Sequence, residues 1–170
     1  LAYNEGNTSY KQGQYDQAVA AYDRSLALDA SNSKAYQGKG LALSKQRKYD
    51  DAIAAYQKAV EADPTNYGAF AAMGKANYDK KNFKGAVDAY QSAVEINPKR
   101  ETNIYMLALS FSKLKDNKNA IKYYTMATQV KPDYYRAFNS LGVAYMTDGQ
   151  VENAISAFEM AITVQENYDE

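Results

Sequence analysis

The side chains that most often carry out chemistry are missing from this chain of 170 residues, which has no Cys and no His. Disulfides, thiolate metal sites, the commonest general base and the commonest zinc ligand are thereby excluded. The Ser and Thr hydroxyls have no imidazole to activate them, and the carboxylates are scattered rather than paired. Gly38-Lys39-Gly40 has neither the spacing nor the preceding strand of a phosphate loop. Asn7-Thr8-Ser9 matches a glycosylation acceptor by pattern alone. No catalytic residue, cofactor or metal is expected. What remains is binding chemistry, supplied by 20 Lys and Arg, balanced by 20 Asp and Glu, and by 17 Tyr. A net charge of zero gives no overall pull toward nucleic acid or an anionic membrane, and neither partner is expected. No apolar run approaches the roughly 20 residues that a membrane helix needs.

The elements that position these side chains follow from a period. Pro64, Pro98 and Pro132 are each 34 residues apart. Ala52, Ala86 and Ala120 precede them at a fixed offset, as do Tyr56, Tyr90 and Tyr124, and Ala59, Ala93 and Ala127. The ladder extends to Ala18 and Tyr22 before them and to Ala154, Phe158 and Ala161 after them. A second ladder of small residues runs through Gly6, Gly40, Gly74, Ala108 and Gly142, with Tyr36, Phe70, Ile104 and Phe138 four positions before the last four. Apolar residues such as Tyr49, Ala52, Ile53, Tyr56 and Val60 recur at helical steps, so each unit holds two helices. Polar breaks at Lys45-Gln46-Arg47-Lys48, Lys80-Lys81-Asn82 and Asp148-Gly149-Gln150 separate the helices of a unit and are expected to be solvated turns. Between units, proline disfavours helix in the residue before it. A hairpin of two short helices cannot bury its apolar face alone, so neighbours must stack.

A 34-residue helix-turn-helix with large, small and proline slots at these offsets resembles the tetratricopeptide repeat (TPR) family. The resemblance covers essentially the whole chain; the unit 67–100 carries it through Phe70, Met73, Gly74, Ala86, Tyr90, Ala93 and Pro98. It implies an all-α fold, a right-handed α-solenoid of antiparallel hairpins, read here as one array with repeats at 1–32, 33–66, 67–100, 101–134 and 135–168. The slot tyrosines Tyr22, Tyr36, Tyr56, Tyr90 and Tyr124 are expected in the core. Some slots depart from the pattern: Ala2 stands where a large residue is usual, and Glu5 and Lys39 stand where a leucine is, so looser packing is expected there. The chain opens on Leu1, its first unit lacks the opening residues, and it ends at Tyr168-Asp169-Glu170 without a capping helix. We therefore expect a processed or excised start, a fragment or an array completed by another chain, and incomplete cover over Val151, Ile155 and Ile162.

The resemblance also implies that first-helix residues line a concave groove. Here these read Tyr3, Asn7, Tyr10 and Lys11; then Gln37, Leu41, Ser44 and Lys45; then Lys75, Tyr78 and Asp79; then Tyr105, Leu109, Ser112 and Lys113; then Asn139, Val143 and Met146, with Lys34 and Arg136 at the edge. The first-helix windows hold eleven basic and four acidic residues, and the rest of the chain nine and sixteen. The expected surface is basic, aromatic and partly apolar. Of the Lys, Asn, Asn, Lys, Arg clamp by which chaperone adaptors of this family capture a C-terminal carboxylate, only Asn7 is in place; the other slots hold Tyr3, Gly38, Gly68 and Ala72. That clamp is not expected.

The functional expectation is a protein-interaction scaffold whose groove takes an acidic, partly apolar peptide or protein segment. Tyr10, Leu41, Tyr78, Tyr105 and Leu109 would anchor it, and Lys11, Lys45, Lys75 and Lys113 would orient it. The competing expectation is a self-assembling scaffold, a homo-oligomer joined through uncapped ends or groove-to-convex contacts. A third is a regulatory or targeting arm of a larger enzyme. Cytoplasmic and periplasmic settings both stay open.

Overall fold

The computed structural model describes residues 1–166 and contains ten α-helices among them. They are α1 Ala2–Lys11, α2 Tyr15–Leu28, α3 Ser33–Lys45, α4 Tyr49–Ala62, α5 Tyr67–Asp79, α6 Phe83–Ile96, α7 Glu101–Lys113, α8 Asn117–Val130, α9 Tyr135–Thr147 and α10 Val151–Glu166. The chain end at Tyr168-Asp169-Glu170 lies outside the described residues. No described helix is long and apolar enough to cross a membrane. The chain divides into two compact units, Leu1–Ile96 and Asn97–Glu170. Within each unit, dense packing joins helices adjacent in sequence; in the first unit, α1 also touches α3, and α3 touches α5.

Each hairpin turns by the same device. Gly13, Arg47, Lys81, Lys115 and Gly149, one per hairpin, all have positive φ, between 61° and 77°. The following amide then donates to a carbonyl five residues back, as Lys48 does to Leu43 at 3.0 Å and Asn82 to Asn77 at 2.8 Å. This is the Schellman closure of a helix C-terminus, for which glycine is the usual residue. The three middle hairpins make it with Arg or Lys, in a conformation that disfavours residues with a Cβ by roughly 1–2 kcal/mol.

Between the helices of a hairpin, ring meets backbone. Tyr22, Tyr56, Tyr90 and Tyr124 are at most 3% exposed. A Cβ on Gly40 would come within 2.5 Å of the Tyr56 ring, and one on Gly6 within 2.6 Å of Tyr22. The small-residue ladder is thus a set of close approaches. Tyr36 departs from its expected core placement: it is half-buried beside Ala59, Val60 and Ala69 and lines a trough with Lys39 and Leu43. The residues that stand in place of leucine form surface ion pairs, Glu5 with Arg24 at 2.8 Å and Lys39 with Asp23 at 2.6 Å.

Helix starts differ between the units. Asn32 and Asn66 cap α3 and α5 by accepting from the amides of Ala35 and Ala69, each at 3.0 Å. Arg100 and Tyr134, in the same slot, give α7 and α9 no side-chain cap. Such a cap contributes about 1 kcal/mol. Asn103 stands where the other repeats bury Ala35, Ala69 and Ala137, and its Nδ2 has no hydrogen-bond partner among the described residues. Val151, Ile155 and Ile162 of α10 are 52%, 53% and 57% exposed.

Candidate functional site

In the Leu1–Ile96 unit, the first helices α1, α3 and α5 line two adjoining open cavities. The larger, about 390 Å³, is lined by Tyr10, Leu41, Ser44, Lys45, Lys75 and Asp79, with Tyr56, Ala72 and Ala76. The other, about 350 Å³, is lined by Tyr3, Asn7, Tyr10, Lys11, Lys34, Gln37 and Leu41, with Tyr22 and Gly38. Tyr10 and Leu41 belong to both and stand between them. Small residues line both: Ala72 and Ala76 the larger, and Gly38, against which the Tyr22 ring packs, the other.

Several side chains here have other attachments. Tyr10 packs on Tyr15 with centroids 5.7 Å apart, Tyr3 on Tyr22 at 6.0 Å, and Tyr78 edge-on to Phe83 at 5.3 Å. Tyr78 lines neither cavity. Ser44 supports the floor through a 3.1 Å hydrogen bond between its hydroxyl and that of Tyr56. Burial, with smaller contributions from Tyr3 and Tyr10, pushes the Tyr22 hydroxyl up to about 12, so it stays a proton donor at neutral pH; its bond to Asn7 Oδ1 is 2.8 Å.

The charge pattern is less basic than the residue types suggest. Lys75 is not an unengaged cation: its Nζ lies 2.9 Å from Asp79, one helical turn on, so this pair is neutral together. Lys39 is held by Asp23 and Lys80 by Asp50. Lys11 and Lys45 make no ion pair among the described residues, and Lys34 acts on Asp63, whose carboxyl is held low chiefly by hydrogen bonds from Thr65. The i, i+4 spacing of Lys75 and Asp79 was the available signal. The Lys39 pair joins α3 to α2 and the Lys80 pair joins the turn after α5 to α4, and neither has a counterpart in linear spacing.

In the Asn97–Glu170 unit, α7 presents Tyr105, Leu109, Ser112 and Lys113, and α9 presents Arg136, Asn139, Val143 and Met146. Tyr105 is engaged on three sides, against the rings of Tyr124 and Tyr134 and by a 3.2 Å hydrogen bond with Ser140, a contact the period did not point to. Leu109 packs on the cluster of Ala108, Tyr124 and Leu141. Val143 and Met146 are 54% and 51% exposed. Arg136 lies over the Tyr135 ring and donates to its hydroxyl at 3.1 Å. The first unit therefore offers half-open, polar-rimmed cavities, while α9 in the second offers exposed apolar side chains.

Tandem helical hairpins that expose first-helix side chains around open cavities define a class of repeat proteins that bind other proteins or peptides. This chain belongs to the tetratricopeptide repeat family: the family model matches residues 3–67, 38–101 and 105–169. No curated protein matches it. Among solved structures, it is similar to the crystal structure of MamA, with 28% identity over 96% of each chain and a TM-score of 0.90. YrrB, described as a TPR protein with an unusual peptide-binding site, shares 25% identity over 97% of this chain and 85% of its own, with a TM-score of 0.85. MamA from Desulfovibrio magneticus RS-1 shares the fold at 17% identity, covering 100% of this chain and 96% of its own, with a TM-score of 0.89. No catalytic family accompanies the repeat match.

Proposed function

We propose that this chain is a non-enzymatic interaction scaffold and that the α1, α3 and α5 face binds an acidic peptide segment carrying apolar side chains. The observation that carries the reading is the pair of cavities divided by Tyr10 and Leu41, with Lys11, Lys34 and Lys45 on their rims. The apolar walls supply binding energy, since burying an aliphatic or aromatic side chain contributes about 1.5–3 kcal/mol. Lysines at the rim mainly steer, an exposed ion pair contributing about 0–1 kcal/mol. The likeness to YrrB, described as having a peptide-binding site, supports the same class of ligand.

The test begins with peptides selected from a random-sequence display library using the whole chain as bait. Replacing Lys11 and Lys45 with Glu is expected to weaken the selected peptide about tenfold at low salt and to flatten its salt dependence. Unchanged affinity, or a library that yields no binder, sinks the groove reading.

A second reading, self-assembly, is favoured by the exposed Val151, Ile155 and Ile162 of α10. Light scattering across a concentration series is then expected to show growth in mass that Ile155→Asp with Ile162→Asp abolishes. A constant monomer mass overturns it.

A further inference from the structure

In the Leu1–Ile96 unit, α2, α3 and α4 line an open trough of about 440 Å³, in which Val19, Tyr36 and Leu43 meet the small side chains of Ala54 and Ala55. The repeat explains why it is open. Two repeats on, the positions of Leu43 and Ala55 are held by Phe111 and Tyr123, whose rings stack 5.6 Å apart and within 2° of parallel. The position of Ala54 is held there by Lys122, whose Nζ lies 5.0 Å from the centre of the Tyr123 ring. In α8, then, the chain lays a ring and a cation of its own against α7. In α4 it has only two methyl groups at those positions, and the trough remains.

The charge around the trough is unbalanced. Of the lysines that line it, Lys39 is held by Asp23 at 2.6 Å and Lys58 by Glu61 at 2.8 Å. Asp51, which also lines it, makes no ion pair among the described residues. It stands one helical turn before Ala55, on the same face of α4. Together α2 and α4 carry five acidic and two basic residues.

From this we infer that the trough is a docking site for a partner segment that carries an aromatic side chain beside a Lys or Arg. The ring sits over Ala55, as Tyr123 does in its own repeat, and packs against Val19, Leu43 and the Tyr36 ring. The cation meets Asp51, and the negative excess of α2 and α4 favours its approach. The partner is opposite in charge to the one proposed for the α1, α3 and α5 face, and neither site depends on the other.

The test titrates the methyl-labelled whole chain at low salt with acetyl-Lys-Phe-Lys amide and follows the methyl resonances of Val19, Leu43, Ala54 and Ala55. These are expected to shift with a dissociation constant in roughly the millimolar range. Acetyl-Glu-Phe-Glu amide, which reverses the charge, is expected to bind about fivefold more weakly, and acetyl-Lys-Ala-Lys amide, which lacks the ring, to leave the resonances in place. Ala55→Tyr supplies the ring from the chain itself and is expected to abolish the response. Ala54→Lys changes only an exposed position and sets a cation near Asp51, so it tests the site even where Ala55→Tyr fails to fold; it is expected to weaken the peptide about fivefold. No shift with the Lys-Phe-Lys peptide, equal shifts with either control, or an undiminished response in folded Ala55→Tyr or in Ala54→Lys overturns the inference. Shifts of the same methyls that follow the concentration of the chain alone would put a second copy in the trough, and they overturn it too.

Discussion

Replacing Tyr22 with alanine is expected to remove about 3–5 kcal/mol of stability from the Leu1–Ile96 unit, the range found when a large buried ring is cut to a methyl. The ring is 2% exposed and lies against two glycines at once, with an added Cβ at Gly6 or Gly38 approaching it to 2.6 and 2.5 Å. Truncation would leave α1, α2 and α3 without their common contact. Tyr22→Phe keeps the ring and loses only the bond to Asn7, a loss of about 1 kcal/mol. Urea unfolding followed by circular dichroism separates the two, and equal losses would show that the hydroxyl, not the ring, holds the hairpin. The alkaline limb adds a sign. Because the folded hydroxyl titrates above its ordinary value near 10, the folded state holds a proton that the unfolded chain has released. This stabilising contribution is complete below pH 10 and lost as pH rises toward about 12. Tyr22→Phe is expected to remove that share of the alkaline loss.

The second large effect belongs to the ridge between the cavities. Tyr10→Ala combined with Leu41→Ala is expected to weaken a library-selected acidic peptide about 100-fold, equivalent to about 2.7 kcal/mol. Both side chains are already half-buried, so each contributes the additional surface covered on binding rather than its whole area. Tyr10→Phe keeps the wall and is expected to stay within about threefold of the starting affinity. Titration calorimetry with a melting curve of each variant checks the result. A change under threefold in the double variant, with folding intact, would remove these two residues as anchors.

The helices were legible because one period governs several independent features. Ala52, Tyr56, Ala59 and Pro64 each repeat at the same step, and only a helical hairpin sets those residue types at those offsets. Side-chain attachments were less legible, because they depend on which helices meet. Tyr78 and Tyr10 occupy the same slot, yet Tyr78 leans on Phe83 outside both cavities while Tyr10 stands between them. The engagement of Lys39 by Asp23 needs α2 and α3 side by side before the two charges can be paired. The direction of the Gln37 amide follows from two hydrogen bonds in series, Ala69 N–H to Asn66 Oδ1 and Asn66 Nδ2 to Gln37 Oε1. The left-handed turns lay between: Gly13 and Gly149 mark the slot, but Arg47, Lys81 and Lys115 conceal it.

Dense packing within each unit joins helices adjacent in sequence, and that bears on how quickly the chain assembles. The segments that must meet are never separated by more than about one repeat, so the loop-closure entropy of each contact stays small. Topologies dominated by such short-range contacts fold in microseconds to milliseconds. A single hairpin such as α1 and α2, which carries one wall of the smaller cavity, can therefore open and re-form on its own many times for each global unfolding.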